Sequence, residues 1–164
     1  MPVTPEEFKG ALRRFASGVT IITTRVGDVD HGMTASAFTS VSLDPPRVLV
    51  CVARKAAMHD LLASAGAFGV TLLAEDQREL SDRFAWKPSP DRFAGLDVAR
   101  APESGAAWLS GGLAWLDCSV CNAFDGGDHT IYVGEVRAVR VGEGAQDASL
   151  LYVAGRYRRV GDAL

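Results

Sequence analysis

Cysteine is scarce. Three residues, Cys51, Cys118 and Cys121, form no even disulfide framework, which points to reduced thiols and a cytoplasmic protein. Long apolar runs are also missing: the longest, Val48 to Ala53, is far too short to cross a bilayer. Charges at Glu6, Glu7, Lys9, Arg13 and Arg14 interrupt the N-terminus where a signal peptide would be apolar. Lys and Arg never run beyond two or three neighbours, the net charge is −3 and the pI is about 5.6, so a dedicated nucleic-acid surface is not expected. There is no GxGxxG and no strand–helix alternation, so any dinucleotide must bind without a doubly wound domain. Repeats and low-complexity segments are absent, and no Ser/His/Asp or Cys/His set has a nucleophile's context.

What is present fits one domain over residues 1–164, with 48% hydrophobic residues to build its core. Thr4-Pro5-Glu6-Glu7 reads as an N-cap, a proline in the first turn and a capping box. The helix that follows carries Phe8, Leu12 and Phe15 on one face and is expected to end at Gly18. Val19 to Thr24 is β-branched throughout and predicts a strand. A second strand is expected from about Gly32 to Leu43, broken by Asp44-Pro45-Pro46, and a third over Val48 to Val52. A short helix over Ala56 to Ala65 should turn Met58, Leu61 and Leu62 inward and close on Gly66. Phe68 to Leu73 predicts a strand and Glu75 to Phe84 a helix. Residues 85–112, with prolines and glycines among charges, read as a long loop. Leu113 to Ala123 and Thr130 to Val141 read as a hairpin around Asp125-Gly126-Gly127-Asp128, and Leu150 to Ala154 as a last strand. Six or more strands with two or three short helices argue for a mainly β, closed or nearly closed barrel.

Four segments invite a chemical reading. Cys118-Ser119-Val120-Cys121 has metal or redox spacing, but residues three apart on a strand face opposite ways and no second pair exists for zinc, so no metal is expected and core packing is the better reading. The small residues of Gly32 to Ser40 would let a flat ligand approach the backbone, with the Thr34 and Ser36 hydroxyls at its polar edge; a tightly packed neighbour explains them equally well. Arg54-Lys55 precedes the helix at Ala56, where a cation opposes the helix dipole unless an anion sits there. Two solvated side chains are the plainer explanation. Gly127-Asp128-His129 closes a hairpin, where His129 is either turn chemistry or a positioning group.

Together these segments resemble the flavin reductase-like family with its FMN-binding split barrel, and most of all the reductase components of two-component flavin monooxygenases. The resemblance runs through Phe15-Ala16-Ser17-Gly18-Val19-Thr20 with Ile22-Thr23-Thr24, and through the long run from Gly32 to Pro46. It continues in Phe93-Ala94-Gly95, Gly127-Asp128-His129 with Gly134-Glu135-Val136, and Gly155-Arg156-Tyr157. It implies an NAD(P)H-dependent reductase that takes a hydride from NADH or NADPH, reduces FMN or FAD, and supplies a partner monooxygenase. It implies a homodimer with flavin near the subunit interface. Flavin contacts are implied from Thr34, Ala35, Ser36 and Ala37 and from Ala53, Arg54, Lys55, Ala56, Ala57 and Met58. Nicotinamide contacts are implied from Gly127, Asp128 and His129; Tyr157 is added as a nicotinamide contact and His129 as the best candidate for a catalytic, orienting role. Relatives often carry Ser or Thr after the third strand, where this chain has Arg54-Lys55-Ala56-Ala57-Met58, so cations and amides must replace hydroxyls at the phosphate. Two alternatives stay open: a split-barrel enzyme with fixed flavin acting on another small molecule, and a non-enzymatic flavin-binding protein.

Overall fold

A computed structural model describes residues 2–86, 91–143 and 148–162. In chain order the elements are α1 (Pro5–Leu12), β1 (Ser17–Gly18), β2 (Thr20–Val26), β3 (Val29–Ala35), β4 (Phe38–Leu43), β5 (Pro46–Ala53), α2 (Ala57–Ala65), β6 (Ala67–Leu72), α3 (Arg78–Ala85), β7 (Val98–Arg100), β8 (Ala107–Leu109), β9 (Ala114–Gly126), β10 (His129–Val141), β11 (Leu151–Val153) and β12 (Arg156–Arg158).

Seven antiparallel strands make the main sheet in the order β3-β2-β6-β9-β10-β5-β4. Its outer strands, β3 and β4, are consecutive in the chain and joined by Ser36-Ala37 alone, so the two ends of the sheet are drawn together into a split barrel. The single strand expected over 32–43 is therefore two strands. Up to Ala35 the chain pairs with β2, and from Phe38 it pairs with β5; the Thr20 hydroxyl donates to the Ala35 carbonyl at 2.8 Å, and the Cys51 N–H to the Ala37 carbonyl at 3.0 Å. A change of partner leaves no mark in local composition.

The barrel interior holds Ile22, Val50, Val52, Leu62, Phe68, Val70, Cys118 and Tyr132. Val19, Ile21, Leu73, Phe84, Leu109 and Leu150 form a second cluster, against which Tyr157 packs. Met58 and Leu62 of α2 are buried as expected, while Leu61 is half-buried at a cavity wall.

Several boundaries differ from the sequence reading. The capping box is present: the Thr4 hydroxyl accepts from the Glu7 N–H at 3.2 Å, and the Glu7 carboxylate accepts from the Thr4 N–H at 2.9 Å. Yet α1 stops at Leu12 rather than at Gly18, because Ser17 and Gly18 pair with Tyr152 and Leu151. α3 starts at Arg78 rather than Glu75; the Ala74 N–H is taken by the Gln77 side chain at 3.0 Å, which closes a turn there. Within 85–112, of which 87–90 lie outside the described residues, β7 and β8 pair and cover the core with Ala101, Ala106 and Trp108. Asp117 pins this segment by accepting from the Glu103 and Ser104 N–H groups at 2.8 and 3.2 Å. The β9–β10 turn is shorter than expected: only Gly127 and Asp128 lie between the strands. The chain also returns after β11 as β12, through Ala154 and Gly155 at φ 54° and 73°.

Candidate functional site

β3 carries Gly32 because nothing larger fits. A Cβ there would lie 2.7 Å from the Phe84 ring and 3.2 Å from the Phe93 ring. Two adjoining cavities open along this strand. The first, about 580 Å³, is walled by β3 from Val29 to Thr34, by Lys55, Ala56, Ala57, Met58 and Leu61, and by Phe84, Trp86, Arg92 and Phe93. The second, about 660 Å³, has Thr34, Ser36, Arg78, Asp82, Arg156 and Tyr157 among its walls. Thr34, Ala85 and Trp86 belong to both, so the two are parts of one depression. Both volumes fall in the range that holds cofactors and small ligands.

Thr34 is anchored where they meet: its hydroxyl donates to the Ser81 carbonyl at 2.6 Å. At the same turn of α3, the Tyr157 hydroxyl donates to Asp82 at 2.9 Å and lies 2.9 Å from the Ser81 hydroxyl. Burial, reinforced by the Asp82 charge, holds the Tyr157 phenol above its usual range, so it stays a donor. The Arg78 guanidinium sits 5.5 Å over the Tyr157 ring.

Of the residues singled out from sequence, Thr34, Lys55, Ala56 and Ala57 share the first cavity, and Thr34, Ser36 and Tyr157 share the second. Ala35 is buried beneath them. Ala37, Ala53 and Arg54 line neither cavity, and nor do Gly127, Asp128 and His129. These form a neighbouring cluster instead. His129 stands opposite Ala53 in the β5–β10 register, and the Arg54 N–H donates to the Asp128 carbonyl at 2.9 Å. The Arg54 side chain closes onto the same turn, donating to the Gly127 carbonyl at 3.0 Å and to Asp125 at 2.7 Å. Arg54 thereby holds the Asp125 carboxyl below its ordinary range, as the His129 contact does for Asp128. His129 Nδ1 lies 2.6 Å from Asp128 Oδ1, which orients the ring.

Arg92 was not visible from sequence. It adjoins Phe93-Ala94-Gly95, but its place depends on Gly32 and Phe84, far away in the chain. It donates to the Gly32 carbonyl at 2.8 Å and stacks 6.0 Å over the Phe84 ring. Trp86, exposed at the rim of both cavities, had no sequence signal either.

Cys118 and Cys121 do face apart, but core packing describes only the first. Cys118 is buried in the barrel, whereas Cys121 is exposed, the extra residue of a bulge between the pairs Val133–Asn122 and Gly134–Val120. Burial, with the Asp117 charge added, pushes the Cys118 thiol up to about 12, so it is protonated and unreactive at neutral pH. Cys118→Ser and Cys121→Ser are each expected to keep flavin reduction within tenfold of the parent. Cys118→Ser should melt earlier because it places a hydroxyl in the core. A steady-state reductase assay alongside thermal melts checks both; a larger loss of turnover in a folded variant would assign the pair a chemical role.

The family model described as flavin reductase like domain matches residues 12–161. The reductase component of 4-hydroxyphenylacetate 3-monooxygenase from Thermus thermophilus is 43% identical over 155 residues, covering 94% of this chain and 96% of that one. An NADH-dependent FAD reductase from Streptomyces globisporus is 39% identical over 148 residues, covering 88% of this chain and 80% of that one. Among solved structures, a Streptomyces globisporus NADH:FAD oxidoreductase superposes with a TM-score of 0.91 at 36% identity, covering 99% and 98% of the two chains. The flavin reductase component of a bacterial two-component tryptophan halogenase gives 0.88 at 40% identity, covering 98% and 100%. With the family model, the relatives' identities and the superpositions in agreement, the chain belongs to the flavin reductase-like family.

Proposed function

We propose that this protein oxidises NADH, reduces FMN or FAD, and delivers the reduced flavin to a partner monooxygenase. The observation that carries this reading is the double depression along β3, which lies between a wall with Lys55 and Arg92 and a wall with Tyr157 and Arg156. A planar, phosphate-bearing ring system fits such walls: flat contact where the two cavities meet at Thr34, and cations at its margins. Flavin, when bound, supplies the two-electron acceptor that the side chains lack. The chain's own part is to bind and orient. Thr34 and Ser36 meet the polar edge of the ring, and Lys55 to Met58 bound its tail. The Gly127–His129 turn receives the nicotinamide, with Tyr157 as a further contact. Three free thiols suit a cytoplasmic setting, and no helix among the described residues is long and apolar enough to cross a membrane.

The deciding experiment is anaerobic stopped-flow reduction of FMN and FAD by NADH and NADPH. NADH oxidation that rises with added free flavin is the expected result. Tightly held flavin with no NADH turnover would overturn the reading in favour of a carrier.

The same reading includes a homodimer. No residue of α1 is buried, and Phe8, Leu12 and Phe15 are 59%, 48% and 71% exposed, an apolar face left without a partner in the monomer. A second copy that covers this face removes that exposure. Light scattering is expected to give twice the 17.4 kDa chain mass, and a monomer mass across micromolar to high-micromolar concentrations would sink it.

A further inference from the structure

The chain has three tryptophans, and two of them are settled within the fold. Trp108 is buried in the cover formed by β7 and β8, and Trp115 packs against the same cluster. Their indole N–H groups donate to the Leu116 and Leu109 carbonyls at 3.0 and 2.7 Å. Both therefore have the packing and the polar partner that an indole needs. Trp86 has neither. It is 74% exposed, and among the described residues its indole N–H finds no partner and no ring or guanidinium stacks on its faces. Its backbone is nonetheless fixed. Trp86 caps α3, and its N–H donates to the Asp82 carbonyl at 3.3 Å. With Thr34 and Ala85 it walls both cavities, and of these three it alone brings a large apolar face. A free indole is thus held at the shared rim of the depression.

We propose that Trp86 is a stacking platform for the adenine of a bound dinucleotide. The inference rests on the flavin reductase reading, in which the isoalloxazine lies where the two cavities meet at Thr34. Flavin and nicotinamide must sit face to face there to react. The adenine at the far end of FAD or NADH takes no part in the transfer and is free to reach the rim. An indole face accepts a purine in an offset stack, and the contact needs no particular hydrogen-bond pattern. Trp86 then decides how much a dinucleotide gains over the mononucleotide that carries the same reacting ring. FAD and NADH both bear the adenine, and FMN and reduced nicotinamide mononucleotide both lack it, so the two sources can be told apart.

The test compares whole and truncated ligands on the intact protein. FAD is set against FMN by fluorescence titration, and NADH against reduced nicotinamide mononucleotide by kcat/KM. Trp86→Ala is expected to weaken the adenine-bearing member of at least one pair about fivefold or more, and its truncated counterpart by less than about twofold. Trp86→Phe, which keeps a flat face, should recover part of the loss. The side chain is exposed, so thermal melts of both variants should match the parent. A fall in the FAD-to-FMN ratio assigns the platform to the flavin, and a fall in the NADH ratio assigns it to the hydride donor; either supports the proposal. Unchanged ratios, or equal weakening of whole and truncated ligands, overturn it while leaving a functioning reductase intact. Unchanged ratios with a drop in molecular mass would give the indole to the subunit interface, which also overturns it. A parent chain that neither binds nor reduces any flavin overturns the reductase reading and this assignment with it.

Discussion

Phe68→Ala is expected to lower the unfolding free energy by about 3–5 kcal/mol. The ring is fully buried in the barrel interior, on the strand that joins β2 to β9. Gly134 of β10 lies directly beneath it: a Cβ at that position would come within 2.5 Å of the Phe68 ring and 2.9 Å of the Cys118 Cβ. Gly134→Ala should therefore destabilise by overpacking, by about 1–3 kcal/mol. The pair makes a sharper test than either change alone. Removing the ring takes away the two nearest atoms that the new methyl would meet, so the double variant should lose less than the sum of the two single losses. Chemical denaturation of all four proteins measures the coupling, and strict additivity would show that the two groups do not share this space.

His129→Ala is expected to raise the apparent KM for NADH and to slow flavin reduction, together about 5- to 150-fold in kcat/KM, while the affinity for oxidised flavin stays nearly unchanged. The ring stands at the first residue of β10, opposite Ala53, with Nδ1 held by Asp128. That leaves Nε2 without a partner among the described residues and available to a ligand. Hydride transfer needs no proton from the side chain, so the effect is one of orientation. If His129 only stabilises the turn, the variant melts earlier but reduces flavin at the normal rate at every NADH concentration. Melting and pre-steady-state reduction measured on one preparation separate the two roles.

Features fixed by neighbouring residues were legible in the sequence. The Thr4–Glu7 capping box and the β-branched run of β2 formed where their residue types demanded, and the β9–β10 turn formed within Asp125 to Asp128, though tighter than read. Features set by distant pairing were not. The break at Ser36-Ala37 reflects a change from β2 to β5 as partner, and the bulge at Cys121 reflects the register of β10. The apolar stripe of α1 was correctly periodic, but periodicity identifies an apolar face and not what covers it. Of the residues that line the two cavities, Thr34, Ser36, Lys55 and Tyr157 had been singled out through a pattern that spans the chain. Arg92 escaped because its meaning comes from a carbonyl on β3 and a ring on α3, neither adjacent in sequence.

The sheet order also sets a timetable for synthesis. Only three pairs of main-sheet neighbours, β2–β3, β4–β5 and β9–β10, are joined by short turns. β5 must wait for residues 129–135 before its other edge is paired, and β6 must wait for residues 114–119. On the ribosome, the first hairpins therefore emerge with open edges and apolar faces. They stay so while most of the chain is being made, and the barrel closes only near the end. For a chain this small, the vulnerable interval is a property of wiring rather than of length. Slowed translation across the β6–β9 connection lengthens the time in which two unfinished chains can pair edge to edge, so yield in the cell depends on the pace of that stretch as well as on the stability of the finished barrel.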